Sequence, residues 1–333
     1  MADVTKINGY IIKDANAPHP SNAGSAGQVL KKTETGTEWA DAQFKPAGKS
    51  YLTFSSPNSF TLEVNDTTKH WNGTLEYFAS DRTWTAWNGM TTLSAVYNDG
   101  EYVLYLRGTG NTIITGNNES YRWVLTGSDI SCTGNIENLL DYATVTAGNH
   151  PTMANYCYSY MFSGCTALTQ APDLPATTLA NYCYRSMFEK CTALTQAPDL
   201  PATTLAANCY RSMFSGCTSL THAPALPATT LADFCYSFMF RGCTSLKLST
   251  TQTGEYTQEY CIPSSGTGIT ANNPLIDMFT STGGTFTGTP EINTTYYLSS
   301  DNMVVRETEI ATLNGYVGSM IDAAIGNAIG GSY

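Results

Sequence analysis

CYSYMFSGCTAL (157–168), CYRSMFEKCTAL (183–194), CYRSMFSGCTSL (209–220) and CYSFMFRGCTSL (235–246) are four versions of one segment, spaced 26 residues apart. The connections repeat as well: TQAPDLPATTLANY, TQAPDLPATTLAAN and THAPALPATTLADF. A fixed period of this length is the signature of stacked repeats, in which each unit buries its apolar face only against its neighbours. Cys, Met-Phe, Cys and Leu return in every copy, and Ala-Pro and Leu-Pro in every connection. Stacking sets identical positions side by side, so these residues are expected to line one continuous core. Cys183, Met187 and Cys191 follow i, i+4, i+8 spacing, which predicts two helical turns with all three on one face. LTQAPDLP is too rich in proline for a helix and reads as a short, kinked extended stretch.

The chain has ten cysteines, eight of them in this ladder. Three readings compete. Free Cys is among the most buried residue types and serves as a small hydrophobe. A disulfide between the two cysteines of one repeat would have to bridge about 12 Å along a helix, too far to close. Zinc sites use closer cysteine pairs or interleaved histidines, and the C-x7-C spacing here offers neither. Buried free thiols are therefore expected.

The pattern LPATTLA-x-x-C-Y-x-x-MF-x-G-C-T-x-L resembles the BspA-type leucine-rich repeat over about residues 155–247. Met-Phe stands where that family has Ala-Phe, Gly-Cys-Thr matches directly, and Leu-Pro replaces Ile-Pro. The repeat is a few residues longer and carries an extra Cys-Tyr. The resemblance implies a non-catalytic binding or adhesion surface, as in bacterial surface proteins and phage fibres. INGYIIKDANA and GSAGQVLKKTETGTEWADA, with Gly24, Gly27, Gln28, Val29, Leu30, Gly36, Trp39, Ala40 and Asp41, resemble the N-terminal stretches of tailed-phage fibre proteins. That resemblance implies a stem that anchors to the virion and intertwines as a trimer.

Residues 50–130 alternate short apolar-aromatic runs with turn signals, which predicts a β-sandwich. Candidate strands are 51–54, 60–64, 75–79, 84–87, 91–97, 101–108 and 111–116, with a tight turn at Asn98-Asp99-Gly100. Trp84 and Trp87 have odd spacing and cannot share one face of a regular strand. One of them is then a candidate sugar-stacking platform; the alternative is that both are core or turn aromatics. Residues 131–156 are expected to cap the repeats, as are 248–300, where IDMFTSTGG reads as a degenerate last repeat. Ile310, Leu313, Val317, Met320 and Ala324 in 305–330 follow a short coiled-coil seam, which points to a helix stabilised by oligomerisation.

The fold expected is thus multidomain, mainly β plus an α/β solenoid. It would comprise a virion-anchoring stem (1–49), a β-sandwich (50–130), a leucine-rich-repeat-like solenoid with caps (131–300) and a C-terminal helical segment (301–333). A net charge of −11 with no basic run argues against nucleic acid. No apolar run reaches the roughly 18 residues of a membrane span. The opening MADVTKINGY lacks a signal-peptide core. No GxSxG, HExxH, GxxxxGK[ST] or strand-borne GxGxxG occurs, so neither an enzyme nor a cofactor is expected. Repeat positions that vary are expected to face outward and to be free to carry recognition: Tyr160, Arg185, Arg211, Phe238 and Arg241, with Gln170, Gln196 and His222. Together with Trp84 and Trp87 these are the candidate binding residues. The function expected is a tail or head fibre of a phage virion, made in the host bacterial cytoplasm. Its partners would be virion proteins through the stem, further copies of itself, and a glycan or protein of the host surface. The rival is a bacterial cell-surface adhesin with the same repeats.

Overall fold

The computed structural model describes residues 5–7, 10–12, 28–33, 36–41, 44–48, 51–66, 70–261 and 271–305. The chain divides into two compact units, Met1–Lys45 and Pro46–Tyr333. In the first, Thr5–Ile7 pairs antiparallel with Tyr10–Ile12, and Gln28–Thr33 with Gly36–Asp41. From Arg306 on, the helix expected over 305–330 falls outside the described residues.

The second unit begins with two sheets. Leu52–Ser56 lies between Glu101–Thr109 and Ile130–Thr133, antiparallel to both. That sheet continues through Thr74–Phe78 to Trp84–Trp87 on one side and ends in Leu168–Gln170 on the other. Val96–Asn98 folds back on Glu101–Thr109 through Asp99-Gly100, both at positive φ. This is the geometry that a two-residue hairpin loop requires. The second sheet orders Trp123–Thr126, Thr61–Val64 and Leu93–Ser94. Leu52, Phe54, Leu62, Val64, Trp87, Leu104, Leu106 and Trp123 are buried in a core that runs on without a break into the repeats. The segment 111–116 forms no strand. The amides of Ile114 and Thr115 instead reach the Cys157 carbonyl at 2.9 and 3.1 Å.

The α/β solenoid expected for the repeats is not what this chain forms. The fold is mainly β, and one α-helix, Asn138–Thr146, occurs among the described residues, ahead of the first repeat. The CYxxMFxxC segments are trains of tight turns. Alternate amides divide the work. Ser159, Met161, Ser163 and Cys165 each donate to the carbonyl three residues back. Tyr158, Tyr160, Phe162 and Gly164 instead donate to Cys183, Arg185, Met187 and Glu189 of the next repeat, at 2.7–2.9 Å. The same scheme joins the second repeat to the third and the third to the fourth. An α-helix would turn these donors back to their own i−4 carbonyls. Here every fourth residue enters the left-handed region, as at Tyr182 (φ 60°), Ser186 (52°) and Lys190 (59°), which aims alternate amides outward. The four-residue spacing read as helical is the period of these turns, so Cys183, Met187 and Cys191 still share the buried side.

The ladder aromatics stack in register. Phe162, Phe188, Phe214, Phe240 and Phe279 follow one another at 5.6–5.8 Å, with ring planes within 14°. Tyr158, Tyr184, Tyr210 and Tyr236 do the same at 5.6–5.8 Å. Phe279 belongs to IDMFTSTGG, which forms a fifth coil. Its Asn272, Pro274, Ile276, Met278 and Thr280 carbonyls accept from Phe234, Tyr236, Phe238, Phe240 and Gly242. At the other end, Ile114, Thr115 and Trp123 donate to the open carbonyls of the first coil.

The ladder cysteines are buried free thiols. Cys191, Cys217 and Cys243 donate to the Phe162, Phe188 and Phe214 carbonyls of the preceding repeat at 3.0–3.1 Å. Cys at this position is both a small hydrophobe and a weak donor to an otherwise half-used carbonyl. Burial pushes the Cys165, Cys183, Cys235 and Cys243 thiols up to about 12. Cys157, Cys191, Cys209 and Cys217 are raised for the same reason.

Two outcomes are expected. Lys190 occupies with φ 59° the place that Gly164, Gly216 and Gly242 hold at 75–78°. An L-residue pays about 1–2 kcal/mol there, offset in part by the backbone entropy of glycine. Lys190→Gly is therefore expected to stabilise the fold by about 0.5–1 kcal/mol in urea unfolding; a clear loss contradicts the turn geometry. The thiols set an alkaline limit. Below the ordinary thiol value of 9.0, folded and unfolded chains are equally protonated. As pH rises from there toward about 12, the unfolded chain releases protons that the folded chain keeps, so stability falls. Each buried thiol contributes up to about 1.4 kcal/mol per pH unit. Urea midpoints measured from neutral to strongly alkaline pH should drop steeply; a flat profile would show the thiols to be solvated.

Candidate binding surface

The turn trains decide which side chains leave the stack. Invariant Cys, Tyr, Met and Phe point inward and are fully buried. The residues before the first cysteine, and those three positions after it, enter the left-handed region: Tyr156, Tyr182, Asn208 and Phe234, then Tyr160, Ser186, Ser212 and Phe238. Tyr156 and Tyr182 stack at 4.5 Å. The Arg185 guanidinium lies 5.1 Å from the Tyr160 ring and 5.8 Å from Tyr182. Arg211 lies 5.4 Å from Phe238 and 5.7 Å from Phe234, and donates to Asn208 Oδ1 at 3.3 Å. Arg241 lies 5.7 Å from Phe238 on its own account. The result is one row in which cations alternate with rings across the repeats.

Tyr160, Arg185, Arg211, Phe238 and Arg241 are thus brought together. Variability alone was a poor guide to exposure, however. Ser159, Ser163, Ser186 and Ser237 also change between repeats and are buried. Serine is small enough to fold under the turn, while Arg at the same place must reach out. Tyr156, Tyr182 and Phe234 were missed, although the variable position before each first cysteine could have marked them. Arg185, Lys190, Arg211 and Arg241 are the only Lys or Arg residues between 157 and 246. All fall in the turn trains. Neither Arg185 nor Arg241 has a side-chain hydrogen bond or ion pair among the described residues.

Gln170, Gln196 and His222 lie in the Pro-rich connections, outside this row. Gln170 and Gln196 line a groove of about 890 Å³ over the first two repeats, with Asp173, Asp199, Thr169 and Thr195. Its floor includes Ala171, Ala197 and Pro198. His150 closes the lining, its Nδ1 2.8 Å from Oε2 of buried Glu137. Desolvation by the groove walls raises the Asp173 pKa. His222 is not part of the groove, because His222–Pro224 pairs with Met303–Val305, which runs parallel to it.

The tryptophans separate as their spacing demands. Trp87 is core: it packs on Trp71 and Trp123 at 5.3 and 5.6 Å, and its Nε1 donates to the Thr91 carbonyl. Trp84 is partly exposed, but Arg107 covers one face of its ring at 4.2 Å. Tyr142 lies 4.2 Å from the same guanidinium, and Glu76 accepts from it at 2.8 Å. Trp84 is therefore one wall of an Arg107 clamp and no open stacking platform.

Among the described residues no cluster of His, Cys, Asp or Glu could hold a metal ion, and no helix is long and apolar enough to cross a membrane. Comparison with protein-family models, curated proteins and solved structures yields no match to this chain.

Proposed function

We propose that this chain is a non-enzymatic structural protein of a tailed-phage particle, a tail or head fibre, that also touches the host surface. The observation that carries the binding role is the row of Arg185, Arg211 and Arg241 alternating with Tyr160, Tyr182, Phe234 and Phe238. Arg and Tyr dominate the energetic centres of binding surfaces. A ring takes the flat face of a guanidinium and holds its edge donors toward solvent. The row sits on a scaffold whose fold needs none of these side chains, since the core is built from the invariant residues.

The N-terminal unit supports the anchoring role. Its resemblance to fibre stems covers the strands Gln28–Thr33 and Gly36–Asp41. Two-stranded hairpins are marginal alone in water. Partner copies would supply the missing strands and core, hence a homotrimer attached to other virion proteins.

Particles carrying R185A/R211A/R241A test this reading. They are expected to assemble normally, to show the protein on the virion by imaging, and to adsorb to host cells several-fold less than the parent. Purified protein is expected to scatter light as a trimer. A folded monomer at micromolar concentration, or absence of the protein from purified particles, would refute the fibre assignment.

A further inference from the structure

The arginine row also indicates what kind of ligand it meets, an inference that rests on the binding role proposed above. The whole chain carries −11, with 27 acidic against 16 basic residues. In such a chain most cations are expected to find carboxylates. Arg107 does so with Glu76, and Lys247 lies 3.6 Å from Asp301. Arg185 and Arg241 do not, and Arg211 meets only the neutral amide of Asn208. Their contacts are otherwise with ring faces, which leaves the guanidinium edges unsatisfied and oriented. Such an edge matches a carboxylate or phosphate through two parallel hydrogen bonds.

The spacing adds a second constraint. Arg185 and Arg211 occupy equivalent positions in adjacent repeats, where equivalent rings stand 4.5–5.8 Å apart. That step is comparable to the length of one sugar residue in an extended chain. Tyr160, Tyr182 and Ser212 present hydroxyls there, and Glu189, the one carboxylate within the four turn trains, lies 4.0 Å from Lys190. The acidic connections that hold Asp173 and Asp199 belong to the groove and not to this row. A polyanion is thus drawn to one side of the stack. Single-stranded nucleic acid would add base stacking, but guanidinia already take the ring faces of Tyr160 and Phe238, and Tyr156 and Tyr182 stack on each other.

We infer that the row binds an anionic polysaccharide, whose repeated carboxylate or phosphate groups seat on Arg185, Arg211 and Arg241 as the polymer runs across the repeats.

The full-length protein is titrated with polygalacturonate, poly(glycerol phosphate), neutral dextran and a single-stranded DNA. At least one of the two glycan-type polyanions is expected to bind, and dextran is not. Binding should weaken steadily with added salt. The R185A/R211A/R241A protein should bind roughly 10- to 100-fold more weakly, at an unchanged thermal midpoint. Lysine in all three places keeps the charge without the fork and should fall between the two. Removing a cation that already has a partner, by Lys247→Ala, should change nothing. Carboxylate and phosphate polymers are told apart by which of them binds. The inference is overturned if dextran binds as well as the polyanions, if DNA binds more tightly than either, or if the triple alanine variant binds like the parent. Should the parent bind no polyanion while variant particles still lose adsorption, the ligand class is wrong and the attachment role survives. Should polyanion binding follow the arginines while variant particles adsorb normally, the attachment role fails and the ligand class survives.

Discussion

The backbone hydrogen bonds between the Cys-Tyr-x-x-Met-Phe segments of adjacent repeats all run one way. In each repeat, alternate amides of this segment donate forward, and the backbone of the following segment answers only with carbonyls. Every other feature of the stack follows from this polarity. A residue must turn left-handed every four positions to keep the donors aimed. The rings must lie nearly parallel at one repeat per step. The thiol of the second cysteine must point backward, where it meets the Phe carbonyl of the preceding repeat. Polarity also makes the two ends unlike. The first coil exposes acceptors and needs donors from the sheets; the fourth exposes donors and needs the carbonyls of 272–280 in the fifth. Buried backbone groups left open would cost several kcal/mol at each end, so the caps are as much part of the fold as the repeats.

Much of this was legible in the sequence, and the reasons are specific. Period and invariant positions marked the core: Cys157, Met161, Phe162, Cys165 and Leu168, with their equivalents, are all buried. Met278-Phe279 without cysteines was enough to place a fifth coil. The helix was the error. Spacing of i, i+4, i+8 reports which residues share a side, but a helix and a train of four-residue turns share that period. What separates them is where the amides go, and a single repeat read alone carries no sign of that. Gly164, Gly216 and Gly242 at a fixed place, together with non-glycine residues in the same left-handed conformation four and eight positions earlier, are the physical trace of the turns. Lys190 in the glycine position masks it.

Surface residues were harder to place, because variation and exposure are different properties. Ser159 and Ser237 vary against Arg185 and Arg211, yet the serines are buried. At that position length decides: serine tucks beneath the next turn, and a guanidinium cannot. Trp84 shows the same limit from the other side. Its strand position left it outside the tryptophan core, but Arg107, over 20 residues further along, covers it. No local pattern announces a contact of that range. Charge sorting along the repeats was legible in part, since the arginines sit between the cysteines and Asp173 and Asp199 among the prolines, with Glu189 beside Lys190 as the exception.

Native-state hydrogen exchange tests the one-way bonding most directly. The amides of Tyr184, Phe188, Tyr210 and Phe214 donate across repeat boundaries in the middle of the stack. If that bonding holds the fold, these four should exchange only through global unfolding, with a shared free energy and a shared urea dependence. Exchange of any of them by local opening, fast and insensitive to urea, would show that the repeats stand beside one another without being joined and would contradict the account.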